Sequence, residues 1–285
     1  MNARTTLNIA LLVAIVAVGA ALYYKSKNDS DEVQGTFAIV ADAEENLRRI
    51  EIQRNREEPI VLERDGRHWR MKVPRAARID QVQLGRLLDI ARLRASVRMR
   101  AEDLARFELD KPWAQIRFNQ NAVDFGSTNP LTRELYLRSG EHVYAVPPRL
   151  AAAVPGNAAT LMAHGLFAVD EDPVAFQFAR FSLRHDTARW HLAPHDPGLS
   201  QDDLERWVDQ WRLASSVVTQ PGSAAEGSES ITIELRDTRK IMLSVLARSP
   251  DLVLLRHDEL LQYHLPARLA PILLTPPGAA SAPTR

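Results

Sequence analysis

Three histidines and two aspartates lie close together in the segment RHDTARWHLAPHD. They are His185, Asp186, His191, His195 and Asp196. Imidazole and carboxylate groups are ligands that hold zinc in proteins. The sequence contains neither an HExxH motif nor a short helical histidine pair, and alternation after Trp190 places His191 on the other face of a strand. We therefore interpret these histidines as strand and turn residues, and the sequence predicts no metal site.

Two other segments carry polar groups that could do chemistry. In FGSTNPLTR, residues 125–133, backbone donors lie near Arg133, but a phosphate cradle uses a helix N-terminus. Strand patterns flank this loop, so we predict a hairpin turn. Glu108 and Asp110 form a carboxylate pair, and Asp110 precedes Lys111-Pro112 as turn-forming residues do. GxSxG, SxxK and Walker motifs are absent from the sequence. The sequence therefore predicts a protein that is not an enzyme and needs no cofactor.

Two groups of residues are candidates for binding a partner. The basic run RLRASVRMR, residues 92–100, separates its arginines by neutral or apolar residues. Such a run can meet acidic lipid headgroups or an acidic protein, or it is a solvated helix end followed by an edge strand. Two tryptophans four positions apart share one helix face, which indicates core packing, or a protein-binding hot spot if that face is exposed. The candidate residues are Arg92, Arg94, Arg98, Arg100, Trp207 and Trp211.

The composition excludes several classes of function. Among 285 residues, Lys plus Arg and Asp plus Glu are equal at 36 each, so the basic footprint of a nucleic-acid-binding protein is missing. The sequence has no cysteine. That excludes disulfides, thiolate zinc sites, iron–sulfur clusters, thiol catalysis and the lipidated cysteine of a lipoprotein. We predict no nucleic-acid partner.

The N-terminus carries an uncharged apolar run, LNIALLVAIVAVGAALYY, from Leu7 to Tyr24. Its eighteen residues span roughly 27 Å as a helix, about the thickness of the hydrocarbon core. A cleaved signal peptide has a shorter run and a clearer cleavage site, and a buried core helix is amphipathic. The sequence therefore predicts a transmembrane signal anchor at residues 1–25. In a Gram-negative bacterium, this single-pass anchor in the inner membrane places the rest of the chain in the periplasm.

The rest of the sequence reads as one unit present twice. The helical segments LGRLLDIARLRASV and LERWVDQWRLASSV share seven of fourteen positions, and VYAVPPRLAAAV corresponds to QYHLPARLAPIL. Alternating apolar and polar residues around these segments predict strands. We predict an α+β fold with two tandem repeats of mainly antiparallel sheet and packed helices. The predicted boundaries are a linker at 26–45, a first unit at 46–168, a divergent second unit at 172–274 and a disordered tail at 275–285.

Core and turn residues of the first unit carry a family resemblance. A strand with a tryptophan is followed by a proline, a helix and the turn FELDKP. The positions are Trp69, Pro74, Phe107, Leu109, Asp110 and Pro112. This pattern resembles the bacterial family called domain of unknown function 4340, over roughly residues 45–275 if the second unit is counted. The resemblance implies a membrane-anchored chain without an established activity, and an accessory role beside ABC-type export systems.

The predicted function combines these features. We expect a non-enzymatic, membrane-anchored envelope protein that acts as a scaffold or accessory subunit of a membrane complex, such as an ABC-type transport system. Its partners would be the membrane and a protein of the envelope. The alternative is a periplasmic module that binds glycan or lipid in a groove between the repeats.

Overall fold

A computed structural model describes residues 33–55, 57–223 and 228–278, together with Val18. Apart from Val18, the predicted signal anchor lies outside the described residues, as do residues 279–285 of the predicted tail. Within the described ranges, no helix is long and apolar enough to cross a membrane. Contacts divide the chain into two compact units. Unit 1 contains Met1–His68 and Leu84–Gly156, and unit 2 contains Trp69–Gln83 and Asn157–Arg285.

The described chain is mostly β, with two antiparallel sheets and few helices. The strands are β1 Val33–Ala38, β2 Arg49–Arg54, β3 Ile60–Asp65, β4 His68–Val73, β5 Ala77–Arg78, β6 Arg94–Arg100, β7 Ala114–Phe118, β8 Asn121–Thr128, β9 Leu135–Ser139, β10 His142–Val146, β11 Pro173–Gln177, β12 Ser182–His185, β13 Trp190–Ala193, β14 Val218–Pro221, β15 Glu229–Leu235, β16 Lys240–Ala247, β17 Asp251–Arg256 and β18 Leu261–Pro266. The α-helices are α1 Gln81–Arg92, α2 Gln201–Arg212 and α3 Ala270–Leu273. The 3-10 helices are Glu44–Asn46, Leu104–Phe107, Pro148–Ala153, Ala158–Leu161 and Ala267–Leu269.

Unit 1 is organised by a sheet in which its strands follow the order β1-β6-β10-β9-β8-β7-β2-β3. Alternation in β2 buries Ile50 and Ile52 while the flanking side chains are partly or fully exposed. Asp80 caps the N-terminus of helix α1, because its carboxylate accepts hydrogen bonds from the backbone N–H groups of Val82 and Gln83. The helix buries the apolar stripe that its 3.6-residue period predicts. These buried residues are Leu84, Leu87, Leu88, Ile90 and Ala91.

The first strand lies inside the segment 26–45, which its polar composition predicts to be a linker. β1 pairs antiparallel with β6, and Ile39 and Val40 directly after it are buried. The polar residues before Val33 dominate the composition of the segment, but the apolar residues that follow are sufficient to join the sheet. Because β1 covers one side of β6 and β10 pairs with the other, β6 is an internal strand and not an edge strand.

Unit 2 carries a second antiparallel sheet with the order β13-β12-β11-β15-β16-β17-β18-β14. Helix α2 begins with a capping box, in which the Ser200 side chain accepts from the Asp203 N–H and the Asp203 carboxylate accepts from the Ser200 N–H. The carbonyl of Thr275 accepts a hydrogen bond of 3.1 Å from Trp207 Nε1. The first residues of the predicted disordered tail therefore contact α2.

The two sheets have the same strand order over seven strands. In unit 1 the run is β3-β2-β7-β8-β9-β10-β6, and in unit 2 it is β12-β11-β15-β16-β17-β18-β14. In each run the chain forms a hairpin first, then leaves the sheet for an α-helix before β6 or β14. The repeat boundaries predicted from sequence place β4, β5 and α1 in the first repeat, whereas the contacts assign Trp69–Gln83 to unit 2. The reason is hydrogen bonding, because the residues around β5 bond to Leu161 and Ala163.

A small apolar cluster in unit 1 places the 3-10 helix Leu104–Phe107 against the sheet. Phe107 and Leu109 are buried with Val143, and the Tyr136 ring meets Phe107 edge-on with centroids 4.7 Å apart. Gly126 lies directly beneath this turn, where an added Cβ would come within 2.2 Å of the Phe107 carbonyl oxygen. The close approach of the turn to β8 therefore requires glycine at this position.

Gly126→Ala is expected to lower the free energy of unfolding by about 1–3 kcal/mol, because backbone and the Leu109 side chain must move to admit the methyl group. Gly85→Ala is the matched control, since a methyl group added at this position of α1 would have nothing within 4 Å. That control is expected to raise stability by about 0.5–1 kcal/mol. Urea unfolding of both variants measures the difference, and equal stability of the two would contradict the close approach at Gly126.

Candidate functional site

The four arginines of the predicted basic run separate into two groups. Arg92 ends α1, where it forms ion pairs with Glu44 and Asp89. Arg94, Arg98 and Arg100 lie on β6 at even spacings, so they share one face of the strand. Arg92 is therefore neutralised by nearby carboxylates, and the strand arginines form a separate group, which we call the arginine face.

The arginine face is held by neutral groups. Arg94 Nη2 donates to the Thr36 carbonyl oxygen at 2.9 Å, and the Arg98 guanidinium lies 4.2 Å from the centroid of the Phe37 ring. Both partners belong to β1. Within the part of the chain that the structure describes, no ion pair joins Arg94, Arg98 or Arg100 to a carboxylate. The positive charge of the face is therefore not compensated by the described residues.

The two candidate tryptophans are core residues and do not form an exposed docking face. Trp207 is 6% exposed and Trp211 is fully buried. Their rings lie in an aromatic cluster formed by α2, β11, the turn between β11 and β12, and the start of β13. The members are Phe176, Phe178, Phe181, Trp190, Trp207 and Trp211. The spacing of four correctly places both rings on one face, but that face is turned towards the sheet. The partner-binding assignment of Trp207 and Trp211 is therefore corrected to core packing.

The histidine segment is dispersed along a hairpin. His191 Nε2 lies 2.7 Å from Asp186 Oδ2, and both side chains are exposed. The His185 ring instead meets Trp190 edge-on, while His195 is exposed in the following turn. In the described ranges, no group of three His, Cys, Asp or Glu residues is arranged to hold a metal ion.

The other polar segments form turns. The 125–133 segment ends β8 and turns into β9, and Asn129 Oδ1 accepts from the N–H groups of Leu131 and Thr132. Glu108 has a positive φ of 55° after the 3-10 helix, and Asp110 is exposed in the next turn. The predicted hairpin is confirmed, and both carboxylates lie in turns.

A buried ion-pair network in unit 2 was not found from the sequence. Arg256 is 1% exposed, and all its guanidinium N–H groups have acceptors. Nη1 and Nη2 donate to the two oxygens of Glu171 at 2.8 and 2.6 Å. Nε and Nη2 each donate to Asp258 at 2.9 Å, and Nη1 also donates to the Leu166 carbonyl at 2.7 Å. This bidentate geometry fixes the residues before β11 to the end of β17.

A second arginine extends the network to β5. Arg78 Nη2 donates to the Tyr263 hydroxyl at 2.7 Å and to the Gly165 carbonyl at 2.9 Å. The Arg78 guanidinium and the Tyr263 hydroxyl both donate to the Glu259 carboxylate. We call Arg78, Glu171, Arg256, Glu259 and Tyr263 the Arg256 network. Its charges are paired with each other, which is the arrangement of a structural network.

Burial by itself raises the pKa of Glu171, but the hydrogen bonds and charge of Arg256 outweigh burial and lower that pKa to about 2. For Tyr263, burial is the largest effect and the neighbouring Glu259 charge adds to it, so the pKa of the hydroxyl is well above its usual value. Glu171 is therefore a carboxylate, and Tyr263 is a neutral donor, throughout the physiological pH range.

The lowered pKa of Glu171 predicts sensitivity to acid. Because its folded-state pKa of about 2 is below the ordinary 4.5, the stabilisation is complete above about pH 4.5 and is lost as the pH falls towards 2. The loss is expected to be on the order of 3 kcal/mol. Unfolding free energies measured from neutral pH down to about pH 3 should fall more steeply for the natural chain than for Glu171→Gln. Parallel pH profiles would contradict the assignment.

The solvent-facing side of the unit 2 sheet has a shallow hollow of about 250 Å³. Its polar lining includes Gln177, Arg184, Thr232, Glu234 and Lys240. Arg184 Nη2 donates to Glu234 at 3.2 Å, so two of these charges are already paired. The hollow lacks the predominantly apolar lining of typical ligand pockets.

Comparison with known proteins identifies the family. The family model of the domain of unknown function DUF4340 matches residues 69–221, more than half of the chain. The chain belongs to the DUF4340 family. No curated protein and no solved structure matches it. The DUF4340 match begins in β4 and ends with β14, so it includes the arginine face and α2.

The residues that carry the DUF4340 resemblance have structural positions. Trp69, Phe107 and Leu109 are each at most 7% exposed, and Asp110 lies in a turn. Phe107 and Leu109 are the residues for which Gly126 provides space. The shared pattern therefore describes how these residues pack and turn.

Proposed function

We propose that this DUF4340 protein is a non-enzymatic, membrane-anchored scaffold or accessory subunit of an envelope membrane complex. The apolar run Leu7–Tyr24 supplies the anchor in the inner membrane, and the two units lie in the periplasm. An ABC-type transport system is the complex that the family resemblance favours.

The observation that carries this proposal is the position of the family-pattern residues. Trp69, Phe107 and Leu109 are buried in apolar surroundings, where they can maintain a fold but cannot contact a substrate. In unit 2, the buried charges of Arg256 and Glu171 are paired with each other and are not directed at a cleft. A rigid surface that binds a partner is the function that such an arrangement supports.

We also propose that the chain arose by duplication of one α+β unit. The identical strand order over seven strands supports duplication, as does the identity of seven in fourteen residues between the two helical segments. Duplication would give one chain two related surfaces for partner binding. The glycan- or lipid-binding alternative, which uses a groove between repeats, stays a prediction.

Gentle detergent extraction of the tagged full-length chain, followed by mass spectrometry, tests the scaffold function. A defined set of membrane proteins is expected to copurify in stable proportions. A variant without residues 1–25 is the control, and it should keep those partners that bind the units and lose those that bind the anchor. Recovery of the full-length chain alone, at monomer size, would contradict the proposal.

A further inference from the structure

We propose that the arginine face of β6 binds the anionic phospholipid headgroups of the membrane that holds the chain. This inference rests on the proposed anchor and names the surface that unit 1 presents to the bilayer. Anionic headgroups are the ligand class because Arg94, Arg98 and Arg100 are permanently charged donors suited to phosphate oxygens.

The arginines of β6 alternate with less polar residues, and Tyr144, the β10 residue directly opposite Arg98, is buried on the same side of the sheet. Ala95 is buried on the opposite face, and Met99 packs on the apolar cluster around Phe107. Arg94, Ser96 and Arg100 are exposed, and Arg98 is half-buried. The regular pairing of β6 with β10 keeps this alternation in register from Val97 to Arg100. The arginines therefore form a row along an internal strand of a rigid sheet.

Contacts with β1 orient two of the arginines without neutralising them. Thr36 provides a carbonyl oxygen for Arg94, and Phe37 provides a ring face for Arg98. Both contacts leave the positive charge in place, in contrast to Arg92, which is paired with carboxylates. Glu102 and Asp103 follow β6 along the chain, but no ion pair joins them to the arginine face in the described ranges.

The chain path places this face close to the predicted anchor. Eight residues, 25–32, separate Tyr24 from Val33 at the start of β1, and eight residues reach at most about 29 Å when fully extended. Val33 pairs directly with Arg98. The tether therefore keeps the arginine face within about 30 Å of the bilayer and permits it to reach the surface, where anionic headgroups attract basic residues. The tether itself carries Lys25 and Lys27 against Asp29, Asp31 and Glu32, so the net positive charge of this region lies on the arginine face and not on the tether.

A single-cysteine label on the full-length chain tests the contact, because the natural sequence has no cysteine. Ser96→Cys places a fluorophore among the arginines, and Ser230→Cys places one on an exposed position of β15. Each labelled chain is reconstituted in nanodiscs of phosphatidylcholine with or without phosphatidylglycerol. Before reconstitution, carbonate extraction checks that the chain is integrated in the membrane. In the nanodiscs, a spin label attached to the headgroups quenches nearby fluorophores, and the loss of fluorescence is measured.

Quenching at position 96 is expected in discs with phosphatidylglycerol, and high salt should reduce it to the level in phosphatidylcholine alone. The substitutions Arg94→Gln, Arg98→Gln and Arg100→Gln together should abolish it. Equal quenching at positions 96 and 230, or quenching that survives the three substitutions, would overturn the inference and leave the anchor intact. A chain that carbonate releases would contradict the anchor and this inference together. If the three substitutions remove copurified proteins, and position 96 shows no quenching by lipid, the face binds an acidic protein and lipid binding is overturned.

Discussion

Arg256→Met is expected to lower the free energy of unfolding by about 3–5 kcal/mol, because it leaves a buried carboxylate without its main partner. After the substitution, Glu171 keeps the Ala168 N–H and an Arg239 guanidinium at 3.5 Å. It loses two hydrogen bonds from Arg256. Urea unfolding of the chain without residues 1–25, followed by tryptophan fluorescence, measures the effect.

Arg184→Met is the matched control for this prediction. Arg184 is 69% exposed and pairs with Glu234 at 3.2 Å, so its loss is expected to change stability by less than about 1 kcal/mol. A double variant, Arg256→Met with Glu171→Leu, is expected to recover part of the loss, since it removes the uncompensated charge. Equal urea midpoints for the two single arginine variants would show that the Arg256 network contributes little to stability.

Local patterns in the sequence were sufficient for most individual elements. Alternation predicted β2, and the stripe through Leu84 and Leu88 predicted α1, because strand and helix periods are set by the backbone alone. The same patterns indicated a mainly antiparallel sheet, which the structure confirms. They also identified the family, because its pattern consists of core and turn residues such as Trp69 and Leu109.

Contacts between residues far apart in the sequence cannot be predicted from such local patterns. Arg256 ends an apolar run in the sequence, which reads as the end of a strand. Its burial depends on Glu171, 85 positions away, and on Leu166. A single sequence contains no pattern that predicts this contact. The segment that contains β1 likewise has the composition of a linker, because polar residues precede the strand and its stability comes from pairing with β6.

The candidate arginines show how the boundary between a helix and a strand decides which residues share a face. The sequence grouped Arg92 with Arg94, Arg98 and Arg100 as one basic run. The structure ends α1 at Arg92 and starts β6 at Arg94, so the helical period gives way to a period of two. That change directs the strand arginines to one face and leaves Arg92 with acids near the helix end. The basic run is visible in the sequence, but its division into two groups depends on the boundary between α1 and β6.

Trp211→Ala is expected to lower the free energy of unfolding by about 3–5 kcal/mol, as for other large core residues. Trp211 is fully buried, and its ring centroid lies 5.5 Å from that of Phe176 and 6.0 Å from that of Trp207. Removing the indole leaves a cavity that the neighbouring rings, held between α2 and the sheet, cannot easily fill. Urea unfolding followed by tryptophan fluorescence measures the loss.

Two further variants separate ring packing from the polar atom. Trp211 Nε1 is buried without a hydrogen-bond acceptor among the described residues, and such a group carries a desolvation cost of about 1–3 kcal/mol. Trp211→Phe removes that N–H and keeps an aromatic ring, so it should be clearly more stable than Trp211→Ala. Leu213→Ala, at a 77% exposed position just after α2, should change stability by less than about 0.5 kcal/mol. If Trp211→Ala behaved like Leu213→Ala, the aromatic cluster would not be the core of unit 2, and Trp211 would again be available to a partner.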